Sequence, residues 1–184
     1  MKNNKKIKIV ALFGPAGSGK DYLLNKILKQ ADCSLNGIIS FTTRPRREGE
    51  ISGVAYNFIS KEEFYRKVDN GDMLEASCFN DWWYGTALSS LDKDRINIGV
   101  FNVEGIRCLL DNELIEVHPI AITTKPKTRL IRQLNREDNP DIKEIFRRYE
   151  ADERDFSFVD FSYIAITNEN DEGIIELTEI INSL

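Results

Sequence analysis

The chain alternates short apolar runs with stretches in which apolar residues return every three or four positions. Ile7-Lys8-Ile9-Val10-Ala11-Leu12-Phe13 is β-branched and aliphatic and reads as a buried strand. A glycine-rich turn follows, and from Asp21 to Gln30 the residues Leu23, Leu24, Ile27 and Leu28 recur at helical spacing, giving one apolar face. After a connection at Asp32-Cys33-Ser34, Gly37-Ile38-Ile39-Ser40-Phe41 reads as a second buried strand. From Thr42 to Glu50 the periodicity stops and arginine becomes dense. Tyr56 to Ile59 is a short alternating strand, and Ser60 with Glu63 has capping-box spacing for a helix that runs to Asn70 and stops at Gly71. Met73 to Phe79 reads as a strand, Asn80-Asp81 as a turn, and Trp82-Trp83-Tyr84-Gly85-Thr86 as an aromatic strand or loop.

Beyond residue 90 the alternation of strand and helix resumes. Ile96 to Phe101 and Ile115 to Ile122 read as strands, the second limited in its pairing by Pro119, with a short helix from Glu104 to Leu110 between them. Pro126 opens a helix whose apolar residues are Leu130, Ile131 and Leu134. The polar stretch 136–141 interrupts, a helix runs from Ile142 to Phe156, Tyr163 to Ile166 is a last strand, and Gly173 to Leu184 closes the chain as an amphipathic helix. Such alternation predicts an α/β fold, a parallel sheet flanked by helices that binds its ligand at the carboxyl ends of the strands. One domain is expected over 1–184: a core of about 1–41 and 91–184, an inserted α+β subdomain of about 42–90, and a lid at about 136–141.

Composition narrows the function. At 184 residues, 41% hydrophobic and 30% charged, the chain has enough apolar material for a substantial core. A net charge of −5 argues against a general nucleic-acid or membrane binder, so any anion site is local. Cys33, Cys78 and Cys108 lie far apart without C-x-x-C spacing, which argues against a zinc site or disulfide framework and fits reduced thiols in a cytoplasm. The lysine-rich start precedes an apolar run too short for a signal peptide or membrane span, and no internal repeat is present.

The chemistry gathers in two places. Gly14-Pro15-Ala16-Gly17-Ser18-Gly19-Lys20 sits between a strand and a helix and has the G-x-x-x-x-G-K form of a P-loop. There successive backbone N–H groups and the helix dipole meet a phosphate, and Lys20 adds a full charge. The plain alternative is a glycine-rich turn that binds nothing. A Ser or Thr hydroxyl on Mg²⁺ normally follows the lysine; here Asp21 stands there, and a carboxylate is itself a hard-oxygen ligand for that ion. The second place is Arg44-Pro45-Arg46-Arg47, with Glu50 and Tyr56 beyond it, where guanidinium forks suit a phosphate. Its alternative is a solvated basic loop.

The stretch from Ser40 to Phe58, Ser-Phe-Thr-Thr-Arg-Pro-Arg-Arg-Glu-Gly-Glu-Ile-Ser-Gly-Val-Ala-Tyr-Asn-Phe, resembles the GMP-binding segment of guanylate kinases. Gly71-Asp72-Met73-Leu74-Glu75 and Tyr84-Gly85-Thr86 resemble the next two blocks of that family, in order. With the P-loop, the later arginines and Asn168, the likeness covers nearly the whole chain. It implies a P-loop nucleoside monophosphate kinase that uses ATP with Mg²⁺. By that likeness Gly14 to Asp21 and Asn168 bind ATP, and Lys20, Arg44, Arg132, Arg136 and Arg148 assist transfer, Arg147 being the other candidate beside Arg148; Asp21, a carboxylate where the family has a hydroxyl, is the expected Mg²⁺ ligand on its own chemistry. Arg44, Arg47 and Tyr56 hold the acceptor phosphate, Glu50 steadies the arginine loop, and Ser40, Glu75 and Thr86 read guanine beside Tyr84 and Gly85. The chemistry agrees: guanine offers N1–H and N2–H₂ to a carboxylate and O6 to hydroxyls, whereas adenine would set a lone pair against Glu75.

Two positions depart from the family. Val100 and Asn102 stand where the block D-x-D-x-Q-G has carboxylates; the amide oxygen of Asn102 can still accept from N2–H₂, at a cost of roughly 1 kcal/mol for the lost charge assistance. Arginine and proline are also shifted by one at Pro45-Arg46. His118, the one histidine, and the pair Trp82-Trp83 read as structural. The expectation is ATP-dependent phosphorylation of GMP or dGMP by a cytoplasmic monomer or homodimer that binds no nucleic acid or membrane. Its alternatives are a P-loop kinase acting on another phosphorylated acceptor and a guanylate-kinase-like binding module.

Overall fold

The computed structural model describes residues 6–30, 34–47, 49–79, 81–136, 138–170 and 172–184. Expectations placed on Lys2 and Lys5, on Asp32 and Cys33, on Glu48, on Asn80 and on Glu137 lie outside the described residues. As the alternation predicts, a parallel sheet is flanked by helices, and its strand order is β2-β7-β1-β8-β9 for β1 (Ile7–Phe13), β2 (Leu35–Gly37), β7 (Ile96–Val100), β8 (Ile115–Thr123) and β9 (Ile164–Thr167). A second sheet of order β4-β3-β6-β5 holds β3 (Phe41–Thr42), β4 (Asn57–Phe58), β5 (Met73–Phe79) and β6 (Trp82–Ala87). By its contacts the chain divides into two units, Met1–Ala11 with Cys33–His118, and Leu12–Asp32 with Pro119–Leu184.

In the first unit, β2 pairs in parallel with β7, Leu35 opposite Ile96 and Gly37 opposite Ile98, and the Ile38 N–H continues that ladder to the Ile98 carbonyl at 2.8 Å. The chain then changes sheets. The Ser40 carbonyl already accepts from the Asn57 N–H (2.9 Å), and Phe41 pairs with Gly85. The single strand expected over 37–41 is therefore two short strands in two sheets, because residues 38–40 carry the crossing. Ser60 caps α2 (Lys61–Asp69) by accepting from the Glu63 N–H at 3.1 Å, and the helix buries Phe64, whose ring lies 5.9 Å from that of Trp83. Asn102 caps α3 (Val103–Leu110), which buries Val103, Gly105, Ile106 and Leu109.

In the second unit, α1 (Lys20–Gln30) buries Leu23 and Ile27, and α6 (Gly173–Asn182) buries Ile174, Leu177 and Ile181. The pairing of β8 with β9 begins at Ile120, opposite Ile164 and just past Pro119. Phe13 packs among Phe156, Phe161 and Tyr163, with ring centroids 6.0, 5.6 and 5.4 Å away. The helix α4 (Pro126–Leu134) corrects the sequence reading. Its buried residues are Arg129 and Gln133, while Ile131 is exposed and Leu130 and Leu134 only half-buried. Polar side chains fill the inward positions there because they have backbone carbonyls to satisfy. Asp141 caps α5 (Ile142–Ser157), whose buried residues are Ile145, Ala151 and Asp152.

Candidate functional site

In the first unit the strands β3, β5 and β6 gather the candidate acceptor residues. Side chains two apart on a strand share a face, so Tyr84 and Thr86 on β6 stand together, opposite Ser77 and Glu75 on β5. Arg44 follows β3 and is 4% exposed; its Nη2 donates to Glu50 Oε1 at 2.8 Å and its Nη1 to the Pro45 carbonyl at 2.8 Å. The Arg47 N–H donates to Glu50 Oε2, also at 2.8 Å, so both carboxylate oxygens tie the loop. Burial alone would push the Glu50 carboxyl up, but the Arg44 and Arg47 bonds and charges hold it below the usual carboxylate range. The Arg44 guanidinium lies 5.6 Å from the Tyr56 ring centre and 5.4 Å from that of Phe58, and the Tyr56 and Tyr84 rings are 5.9 Å apart. Burial pushes the Tyr84 phenol up, against the pull of Arg44 and Arg47. Arg44, Arg47, Glu50, Tyr56 and Tyr84 thus form one cluster suited to a dianion.

Beside it lies a set suited to a flat donor–acceptor edge. Ser40 Oγ and Thr86 Oγ1 are 3.2 Å apart and buried. Glu75, 6% exposed, has its carboxyl pushed up to about 7 by burial, partly offset by hydrogen bonds from the Thr86 side chain and backbone. Asn102 is engaged at both ends: its Oδ1 accepts from the Gly105 N–H at 2.7 Å and its Nδ2 donates to Ser77 Oγ at 2.9 Å. Space is tight at Gly105, where a Cβ would lie 3.0 Å from Glu75 Oε2 and 3.2 Å from Asn102 Oδ1 and would push on those two side chains. Among the described residues His118 meets Glu116, at 3.1 Å, and it takes no part in either set.

In the second unit, Gly14, Gly17 and Gly19 all have positive φ. At Gly17 a side chain is barred twice, by φ of +80° and by the Arg129 carbonyl 2.6 Å from the Cβ position. Of the side chains that brace the turn, the sequence did not single out Asp152 and Arg129. Asp152 Oδ2 accepts from the Ala16 N–H at 2.7 Å and from Arg129 Nη2 at 3.0 Å, and Arg129 Nε donates to the Ala16 carbonyl at 3.1 Å. Arg132 donates to the carbonyls of Gly17, Ser18, Asn168 and Glu169, at 3.4, 3.3, 3.1 and 3.1 Å. Asn168 Nδ2 donates to the Ser18 carbonyl at 3.0 Å. Among the described residues, Ser18 Oγ, Gln133 Oε1 and Asn168 Oδ1 are buried without a hydrogen-bond partner.

Lys20 Nζ donates to the Pro15 carbonyl at 3.2 Å; burial pushes its pKa down, against the pull of Asp21 and Asp152. Asp21 is exposed in the first turn of α1. Arg136 is exposed as well, while Arg147 and Arg148 both bond Glu144, at 2.6 and 2.7 Å through Nε, and pull its carboxyl down to about 2. The local sequence did hold one signal for the brace: Arg129 and Gln133 recur at i,i+4 and therefore share a helix face. Asp152 carries no such signal, being matched to Ala16 across 136 residues.

The guanylate kinase family model matches residues 6–184. The chain is similar to a guanylate kinase of Campylobacter jejuni (strain RM1221), 30% identical over 178 residues, 94% of this chain and 87% of the relative. It is also similar to the guanylate kinase of Helicobacter hepaticus, 31% identical over 166 residues, 88% of this chain and 82% of the relative. Among solved structures, the crystal structure of guanylate kinase from Anaplasma phagocytophilum superposes with a TM-score of 0.74 at 23% identity, covering 98% of this chain and 87% of that one, which shows the shared fold.

Proposed function

The chain belongs to the guanylate kinase family, and we propose on that premise that it moves the γ-phosphoryl of ATP onto the phosphate of GMP or dGMP through the two groups of residues just described. It is a nucleoside monophosphate kinase: ATP and GMP enter, ADP and GDP leave. The observation that carries the reading is the juxtaposition in the first unit. A buried arginine–glutamate cluster with two phenols adjoins a buried carboxylate and two hydroxyls, the complements of a phosphate and of a guanine edge.

Phosphoryl transfer needs positioning and charge neutralisation rather than covalent help from the protein. In this reading Arg44, Arg47 and Tyr56 hold the acceptor phosphate, and Glu50 keeps the two arginines in place. Ser40, Thr86 and Glu75 fix the base, with Tyr84 and Gly85 alongside. On the donor side, the Gly14–Lys20 turn holds the ATP phosphates, Lys20 leaves the Pro15 carbonyl for them, Arg132 and Arg136 meet the triphosphate, Arg148 serves from α5, and Asn168 lies by the donor base. Residues of about 42–90 act as the acceptor-binding subdomain and about 136–141 as a lid that excludes water during transfer.

The residues present also fit a divalent ion. Among the described residues no group of three or more His, Cys, Asp or Glu side chains could hold a metal by itself. Mg²⁺ suits such a site, since it binds through one or two carboxylates together with substrate phosphates. Asp21 supplies the carboxylate beside Lys20, and the ion supplies charge neutralisation to ATP. Among the described residues no helix is long and apolar enough to cross a membrane. We read the partners as nucleotides alone, and the protein as a cytoplasmic monomer or homodimer.

A coupled ADP-release assay over ribo- and deoxyribonucleoside monophosphates, with ATP and Mg²⁺, tests the reading. GMP and dGMP are expected to exceed AMP, CMP and UMP by orders of magnitude in kcat/KM. Turnover of AMP or of a pyrimidine monophosphate equal to that of GMP would overturn it.

A further inference from the structure

We infer that the acceptor pocket takes 6-oxopurine monophosphates with or without a 2-amino group, so that IMP is a second acceptor, and that the Ser77–Asn102 pair sets this latitude. The inference rests on the reading of Ser40, Glu75 and Thr86 as the base-edge groups.

Guanine and hypoxanthine both present N1–H and O6; they differ only in the 2-amino group. A hydrogen-bonding pocket rejects an analogue strongly when the missing group leaves a buried protein atom unpaired. The candidate acceptors for a 2-amino group in this pocket are the oxygens that converge on Gly105, Glu75 Oε2 and Asn102 Oδ1. Asn102 Oδ1 is not waiting for a donor: it accepts from the Gly105 N–H at 2.7 Å as the cap of α3 and from Ser77 Oγ at 3.1 Å, which fills both of its lone pairs. That leaves Glu75 as the acceptor with sites to spare, and a carboxylate oxygen that loses one of several donors is not left as a lone unpaired group.

The second end of the amide matters as much. An aspartate would cap the helix equally well, so capping does not explain an asparagine at this position. What the asparagine adds is a donor, and its Nδ2 uses it on Ser77 Oγ at 2.9 Å. Ser77 is 3% exposed on β5, on the same face as Glu75, and therefore holds the amide from the pocket side. Fixed by Gly105 at one end and Ser77 at the other, Asn102 brings no charge toward the 2-amino position. Glu75 remains the one carboxylate among the edge groups. It faces N1–H and, in guanine, N2–H₂ as well; hypoxanthine keeps the first donor and gives up one hydrogen bond, whereas adenine sets a lone pair against it.

The test is kcat/KM for GMP, IMP and AMP with ATP and Mg²⁺, on the wild type, Asn102→Asp and Ser77→Ala. For the wild type, GMP is expected to exceed IMP by no more than about thirtyfold, the scale of one hydrogen bond that strands no partner, with AMP far below both. Asn102→Asp, which adds a charged acceptor, is expected to widen the GMP-to-IMP ratio at least about tenfold further. Ser77→Ala, which frees the amide, is expected to widen it by a smaller factor. The ratio compares two substrates on one protein, so a reduced folded fraction cancels. A wild-type ratio above about thirtyfold, or an Asn102→Asp ratio less than about tenfold above the wild-type one, overturns the inference while leaving GMP kinase activity standing. Turnover of neither purine would instead break the GMP reading itself.

Discussion

Under the proposed function the two groups of residues use side chains in opposite ways. In the proposed acceptor group the side chains are the recognising parts, and their own contacts keep them ready: Glu50 ties Arg44 and Arg47, and Thr86 meets Ser40. In the proposed donor group the recognising part is mostly backbone, and the surrounding side chains hold it. Asp152 takes the Ala16 N–H, Arg129 the Ala16 carbonyl, and Arg132 the Gly17 and Ser18 carbonyls. A substitution in the first group therefore alters what is recognised. In the second it alters how well a fixed shape is kept, with Lys20, beside Arg132 and Arg136, as the proposed exception that meets phosphate directly.

That exception carries the largest expected effect. Lys20→Ala removes the one formal charge of the turn and is expected to lower kcat by about 10²–10³ with the fold retained. Retention of more than about a tenth of the wild-type rate would remove Lys20 from transfer.

The brace comes next. Arg129 and Asp152 are both buried, their side chains 6% and 7% exposed, so Asp152→Ala takes from Arg129 its buried carboxylate and leaves the Ala16 N–H unpaired, while Arg129 keeps the Ala16 carbonyl and Glu153 at 3.9 Å. Loss of one partner of such a pair costs about 3–5 kcal/mol, readable in denaturant unfolding. A loss under about 1 kcal/mol would mean that the pair is only an exposed-type contact.

The pH dependence sharpens the acceptor side. Glu75 must be ionised to accept from guanine, and its carboxyl sits near 7, so the KM for GMP is expected to fall about tenfold from pH 6 to pH 8. The stability effect has the opposite sense. A carboxyl raised in the folded state contributes stability that is full below the ordinary carboxylate range and is lost as pH rises through about 7. The unliganded protein should therefore lose stability over that window, and Glu75→Gln should flatten the loss. A KM for GMP that is flat from pH 6 to 8 would place the titration elsewhere.

The smallest effect concerns Asp21. If it binds Mg²⁺, Asp21→Ala weakens apparent Mg²⁺ affinity by roughly threefold to tenfold, the worth of about one ligand contact, and slows transfer. A faster alanine variant would show that Asp21 merely repels phosphate.

The same contrast explains what the sequence made legible. The acceptor residues follow residue type and spacing: a two-residue period puts Tyr84 with Thr86, and a dense arginine loop with Glu50 six residues after Arg44 announces an anion site. The glycine turn is legible for the same local reason, being strand, turn and helix in sequence. The brace is not, because Asp152 and Ala16 meet across 136 residues and no local pattern encodes that match. On α4 the pattern misled, since Leu130, Ile131 and Leu134 suggested an apolar inner face, whereas carbonyls of the turn drew Arg129 and Gln133 inward. The strand expected over 37–41 failed for a related reason: an apolar run does not say which of two sheets it joins.

In the proposed function the acceptor residues read the base while the brace keeps the donor turn in shape. Measuring both substrate KM values for Glu75→Gln and for Asp152→Asn tests it most directly. Glu75→Gln is expected to raise the KM for GMP at least about tenfold and leave that for ATP within about twofold, and Asp152→Asn to do the reverse. Equal movement of both KM values in both variants would contradict it.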